Sequence, residues 1–153
     1  MAVSNTPGDV IKTMALGSCV GIVALDPKAK AVGMIHIVLP DSQTNIEKAK
    51  VLPGYFVDTG IPVFLEKMKS VGTKNYKDLI LKMIGGSEIG NTVDQDFQFD
   101  IGKRNILAVK KKLWSLRLGV AGEDISGKIS RTVSVAVSNG KVIVTNKGQS
   151  WQV

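Results

Sequence analysis

Two apolar, extended stretches, about Cys19 to Leu25 and Val32 to Val38, are separated only by a turn that opens on Asp26-Pro27-Lys28-Ala29. A link that short joins antiparallel neighbours, because a parallel crossover needs about a dozen residues or more. A second hairpin stands near the C-terminus, where Val133, Val135 and Val137 alternate with small polar residues and Val142 to Thr145 returns. Asn139-Gly140 between these strands is expected to form a type I′ turn. A further extended segment, about Asp9 to Ala15, precedes a bend at Gly17-Ser18. Strands joined this way favour an α+β fold over a doubly wound parallel sheet.

Helices are interspersed with these strands. Val57, Ile61, Phe64, Leu65, Met68 and Val71 recur at helical spacing and predict a helix over about Asp58 to Ser70, with Gly72 beyond its end. Pro62 fits such a helix only near its first turn. A second helix is expected from about Lys103 to Arg117, with Ile106, Val109, Leu113 and Leu116 on one face and Lys110, Lys111 and Lys112 mostly opposite. Leu79 to Ile84 reads as a buried strand ending at Gly85-Gly86, and Leu118 to Gly122 as another short strand. Pro40 closes the strand over Val32 to Val38. Asp41 to Pro53 reads as a polar, irregular loop, and the stretch from Ser87 to Asp100, which carries Glu88, Asp94 and Asp96, as an exposed acidic one.

No linker or internal repeat divides the 153 residues, so one domain over 1–153 is expected, large enough to fold on its own apolar core. The first residues lack the pattern of a signal peptide, and no apolar run approaches the roughly 20 residues that span a bilayer. The expected location is the cytoplasm, without membrane insertion.

The chain holds one cysteine and one histidine, Cys19 and His36. A thiol near neutral pH needs a base or a cationic neighbour to become a nucleophile. Each residue also has a plain structural reading: Cys19 as a small core residue, His36 as a satisfied polar side chain on a strand. Gly17 and Ser18 tilt the balance for Cys19, because a bend there projects the thiol from a sheet end and frees backbone N–H groups to face an oxyanion. Antiparallel pairing of the two segments would bring Cys19 towards His36.

Other chemistries are disfavoured. One cysteine and one histidine lack any zinc-type spacing, and neither a Walker loop nor a dinucleotide fingerprint is present. No cofactor or metal is expected. The net charge of +7 favours acidic partners. Nucleic acid is a poor match, since aromatic residues are few and the basic ones are scattered. An acidic protein surface fits better, although lysines also simply solvate helix faces.

The string Thr13-Met14-Ala15-Leu16-Gly17-Ser18-Cys19-Val20, followed by His36 with Leu39-Pro40-Asp41, resembles the CheD family of chemoreceptor glutamine deamidases. Further matches follow in order: Pro53-Gly54, Asp58-Thr59, Gly85-Gly86, Ile101-Gly102 with Arg104-Asn105, and Glu123-Asp124 with Gly127 and Arg131. The resemblance implies a layered, β-sandwich-like core with flanking helices, similar to bacterial toxin deamidases. It implies Cys19 as nucleophile, His36 as general base and acid, and Thr13 as the residue orienting the imidazole. Gly17 and Ser18 would lie at the oxyanion. The implied reaction turns glutamine into glutamate on the cytoplasmic helices of methyl-accepting chemoreceptors, with ammonia released. A CheC-type phosphatase is the second implied partner. Phe56 departs from the family's usual tyrosine, and Ser87 to Asp100 departs from its usual sequence, which places specificity in that loop.

Overall fold

The computed structural model describes residues 1–88 and 101–153. The hairpin expected first is its centre. Strand β3 (Val20–Asp26) and strand β4 (Ala31–Ile37) pair antiparallel from Val20 opposite Ile37 to Asp26 opposite Ala31. The buried Asp26 carboxylate closes the turn by accepting from the N–H groups of Lys28 and Ala29 at 3.0 and 2.9 Å. Strand β5 (Ile80–Gly85) pairs antiparallel with the other edge of β3. Strand β1 (Ala2–Ser4) extends this sheet beyond β4, and strand β6 (Gly122–Ile125) lies parallel to β5, giving the order β1-β4-β3-β5-β6.

A second, antiparallel sheet has the order β2-β7-β8-β9, built from β2 (Val10–Leu16), β7 (Arg131–Ala136), β8 (Val142–Asn146) and β9 (Gln149–Gln152). Period-two alternation gives the five-stranded sheet two different apolar faces. Val20, Ile22, Ala24, Ile35, Ile37, Leu81 and Met83 pack under helix α2 (Val57–Ser70) and helix α3 (Ile101–Ser115), against Ile61, Phe64, Met68, Ile106 and Val109. Val23, Val32, Met34 and Ile84 point the other way, onto Val133, Val135, Val142 and Val144 of the second sheet. The fold is therefore α+β in three layers: helices, sheet, sheet. Each large side chain so buried contributes roughly 1.5–3 kcal/mol.

Several local expectations are corrected. The β7–β8 hairpin forms, but not through a type I′ turn, which needs positive φ at two adjacent residues. Only Gly140 is left-handed (φ 63°), and the Asn139 side chain accepts from the Lys141 N–H at 2.9 Å instead. The strand expected at Leu118 to Gly122 is displaced to Gly122–Ile125. Leu118 belongs to the end of α3: Arg117 turns left-handed (φ 58°), the Leu118 N–H donates to Leu113 C=O at 2.9 Å, and the Leu118 side chain is buried beneath the helices. That is a helix stop with its hydrophobic contact, which reads in sequence like a short apolar strand.

The region Asp41 to Pro53 is not irregular. It holds a 3₁₀ turn at Ser42–Thr44 and helix α1 (Ile46–Val51), capped by the Asn45 side chain accepting from the Lys48 N–H at 2.9 Å. No residue of α1 is buried, so no apolar period announces it. Pro62 lies in the second turn of α2, where its missing N–H leaves the Asp58 carbonyl without the usual donor. Of the expected acidic loop, residues 89–100 lie outside the described residues. No helix among the described residues is long and apolar enough to cross a membrane.

Candidate active site

Thr13 and His36 meet between the two sheets, and Cys19 packs on the same inter-sheet side. His36 alternates with Ile35 and Ile37, which face the helices, so its ring points towards the second sheet. Thr13 reaches it from that sheet. Its Oγ1 lies 2.8 Å from His36 Nδ1. When the hydroxyl accepts from Nδ1–H, Nε2 keeps its lone pair and is free to act as a base.

The strand carrying Thr13 is shaped locally for this. Ile11 and Thr13 face inward, and strict alternation would send Ala15 in next. Instead Ala15 is left-handed (φ 56°) and the register shifts between Thr13 and Leu16, so the fully buried Leu16 enters the core. Pairing with β7 resumes after this bulge only at Leu16 opposite Arg131, and the chain then crosses through Gly17-Ser18-Cys19 into the other sheet. Cys19 is half-buried and packs on the inter-sheet side, the side of His36. Gly21 pairs with His36, and Cys19 precedes Gly21 by two residues. That diagonal relation separates residues by roughly 7–8 Å between backbones, within reach of long side chains.

The antiparallel pairing expected from the sequence is present, but no hydrogen bond joins Cys19 Sγ to His36. Burial pushes the Cys19 thiol pKa up, against a lowering by its own backbone hydrogen bond. Burial also pushes the His36 imidazole down, helped by the positive N-terminal amine. Both shifts favour the neutral forms. Burial thus acts on both groups in the direction of thiol and imidazole rather than thiolate and imidazolium.

Three consecutive carbonyls hold the Cys19 loop from behind. Gly17 C=O accepts from the Ser87 N–H at 2.8 Å, Ser18 C=O from Asn105 Nδ2 at 3.0 Å, and Cys19 C=O from the Gly86 N–H at 2.8 Å. Strand β2 ends at Leu16 and β3 begins at Val20, so Ser18 and Cys19 lie between the two ladders, where backbone N–H groups can face an oxyanion. Gly85 and Gly86 make the approach possible with φ of 109° and 64°. A Cβ at Gly85 would collide with the Cys19 carbonyl, and one at Gly86 would lie 2.5 Å from Ile106 Cδ1.

Three supports had no role assigned from sequence. Ser87 is not part of an exposed loop: it is 1% exposed, and its Oγ accepts from Arg131 at 2.6 Å and donates to Ile129 C=O at 2.5 Å. Arg131 is buried too, paired with Asp124 at 2.8 Å, whose other oxygen accepts from Trp151 Nε1 at 2.8 Å. Asn105 is fully buried on α3. An isolated serine, asparagine or arginine at an otherwise apolar face was the available signal, since such groups enter a core only with partners. The Leu39-Pro40-Asp41 and Asp58-Thr59 motifs also prove to be scaffolding. Asp58 accepts from the Ser42 N–H at 3.0 Å and from Ser42 Oγ at 2.5 Å, fixing the segment that follows β4.

The family described as CheD chemotactic sensory transduction matches residues 38–146, a span that begins just after His36. Full-length similarity covers the rest. A probable chemoreceptor glutamine deamidase CheD from Syntrophotalea carbinolica is 44% identical over 99% of this chain and 93% of its own length. A probable chemoreceptor glutamine deamidase CheD 1 from Syntrophus aciditrophicus is 40% identical over 95% and 89%. The chemoreceptor glutamine deamidase CheD of Halalkalibacterium halodurans is 39% identical over 84% and 78%. On sequence similarity along nearly its whole length, the chain belongs to the CheD family.

Proposed function

We propose that residues 1–153 form a single protein-glutamine deamidase domain acting on chemoreceptors in chemotaxis, with Cys19 as nucleophile, His36 as base and acid, and Thr13 orienting the imidazole. The observation that carries this reading is the 2.8 Å contact between Thr13 Oγ1 and His36 Nδ1 across two sheets, with the thiol on the same side. Nothing in the packing of either sheet demands a threonine–imidazole bridge, whereas an acyl-transfer site does. The names of the relatives support glutamine on a chemoreceptor as the substrate.

The proposed chemistry starts from a neutral pair, the form that burial favours at both groups. As Cys19 Sγ attacks the side-chain carbonyl carbon of glutamine, its proton passes to His36 Nε2. The carbonyl oxygen gains charge and is held by the N–H groups of the Ser18-Cys19 bend. The C–N bond breaks while His36 returns the proton to the departing nitrogen, releasing ammonia and leaving a thioester. Water then gives a proton to His36 and attacks that carbon, the C–S bond breaks, and thiol and glutamate are regenerated. Thr13 holds Nδ1 throughout, so the imidazolium formed in each half-reaction keeps a hydrogen-bond partner.

The reading places the work in the cytoplasm, on acidic receptor helices that a +7 chain attracts. It includes a CheC-type phosphatase as a second partner, competing with receptor. Purified protein incubated with a receptor cytoplasmic fragment is expected to release ammonia and convert glutamine to glutamate at defined sites, read by peptide mass spectrometry. Cys19→Ala abolishes both while still binding the fragment. Undiminished deamidation by Cys19→Ala would refute the reading.

A further inference from the structure

We infer that Asn105 is a positioning residue of this site, whose carboxamide sets the spacing between the backbone that carries Cys19 and the backbone that carries His36. The inference rests on the reading of those two residues as nucleophile and base. Asn105 is wholly buried on α3, beside Ile106 and Val109, where packing alone would favour an apolar side chain. Nδ2 donates to Ser18 C=O at 3.0 Å and to Val38 C=O at 2.9 Å. Two carbonyl acceptors require two protons on one small group, which only an amide nitrogen supplies at this size. Its Oδ1 is left without a partner. A buried acceptor without a donor is costly, so the position is held for what its nitrogen does.

What it does is visible in the ladder. The last rung of β3 and β4 is Val20 opposite Ile37, and continued register would set Cys19 opposite Val38. The strands part there. The Val38 N–H turns to Tyr55 C=O at 2.9 Å, and the Cys19 carbonyl turns to the Gly86 N–H. Beyond that rung, among the described residues, the Asn105 amide is the hydrogen-bonded link between the two diverging chains. Helix α3 comes close enough to provide it because Gly102 lies against the Gly86-Ser87 turn. A Cβ at Gly102 would stand 2.6 Å from Gly86 C=O and 2.8 Å from Ser87 C=O. Without the bridge the thiol and imidazole lose their fixed separation, and a misplacement of about 1 Å costs roughly 100-fold in rate.

The test combines turnover with alkylation of Cys19, the chain's only thiol, by iodoacetamide. Asn105→Ala and Asn105→Asp are expected to lower kcat on a receptor fragment by about 10- to 100-fold with KM within about threefold. In the parent, His36→Ala slows alkylation at neutral pH; in either Asn105 background the same change has little further effect, a non-additivity between the two positions. Asn105→Ser keeps one donor and is expected to be intermediate in both readouts, which retains the test if the other variants do not fold. A purely structural role would lower Tm alone, leaving kcat of the folded protein and the His36 effect at parental values, and would overturn the inference. Should Cys19→Ala deamidate normally, or His36→Ala leave alkylation unchanged in the parent, the underlying assignment fails instead.

Discussion

Replacing Thr13 by valine removes a hydroxyl 2.8 Å from His36 Nδ1 and keeps the side chain's shape. In the resting state the lost bond joins two neutral groups and contributes about 0.5–1.5 kcal/mol; with imidazolium as donor it contributes about 1.5–3 kcal/mol. The difference, about 1–1.5 kcal/mol, is stabilisation present only while His36 holds the proton taken from Cys19. At about 1.4 kcal/mol per decade this is a loss of roughly 5- to 12-fold in kcat. Freedom of the ring to rotate or change tautomer adds to it, so a fall of at least about tenfold in kcat/KM is expected. Ammonia release from receptor fragment under single-turnover conditions reads the acylation step directly. Thr13→Ser restores the hydroxyl and most of the rate. Equal rates for Thr13→Val and the parent, with unchanged Tm, would refute an orienting role for Thr13.

The pH profile has a definite sign. Burial lowers the His36 pKa below its ordinary 6.5, so kcat/KM should rise with pH through a midpoint under that value and be level at neutrality. Burial raises the Cys19 thiol above its ordinary 9.0, so iodoacetamide reactivity should inflect on the alkaline side; an inflection well below neutrality would mean a preformed thiolate–imidazolium pair and a different mechanism. Asp124→Ala strands the buried Arg131 guanidinium, at a cost of about 3 kcal/mol given that the carboxylate is partly exposed, and should lower Tm by roughly 6–12 °C. Asp124→Ala combined with Arg131→Met should recover most of that loss; if the double variant melts no higher than the single one, the ion pair is not the cause.

Much of this molecule is written in short-range pattern. The β3–β4 hairpin follows from a turn too short for any other connection, and α2 and α3 follow from apolar residues at helical spacing. Those signals are local, because they depend on backbone geometry within a few residues. Cys19 and His36 stood out by being single, and the hairpin accounts for their sharing one sheet. The same local signals misled where tertiary packing decides. Leu118 looked like strand and is a helix stop, and Ser87 looked like exposed loop and is a buried support for Gly17.

Thr13 marks the boundary most clearly. By residue pattern alone it was an ordinary strand threonine, and family resemblance was needed to single it out. Its partner lies 23 residues away in a different sheet, across a bulge at Ala15 that no periodicity announces. Asn105 is the same case at greater range, joining Ser18 and Val38 from a helix that follows both by more than sixty residues. The sequence by itself determined most of the elements and singled out one thiol and one imidazole as candidates, since strand, helix and thiol chemistry are properties of residues and their near neighbours. The tertiary structure decided which sheet each strand joins, what faces His36 and what holds Cys19, because those contacts form only when three layers bury their apolar faces together.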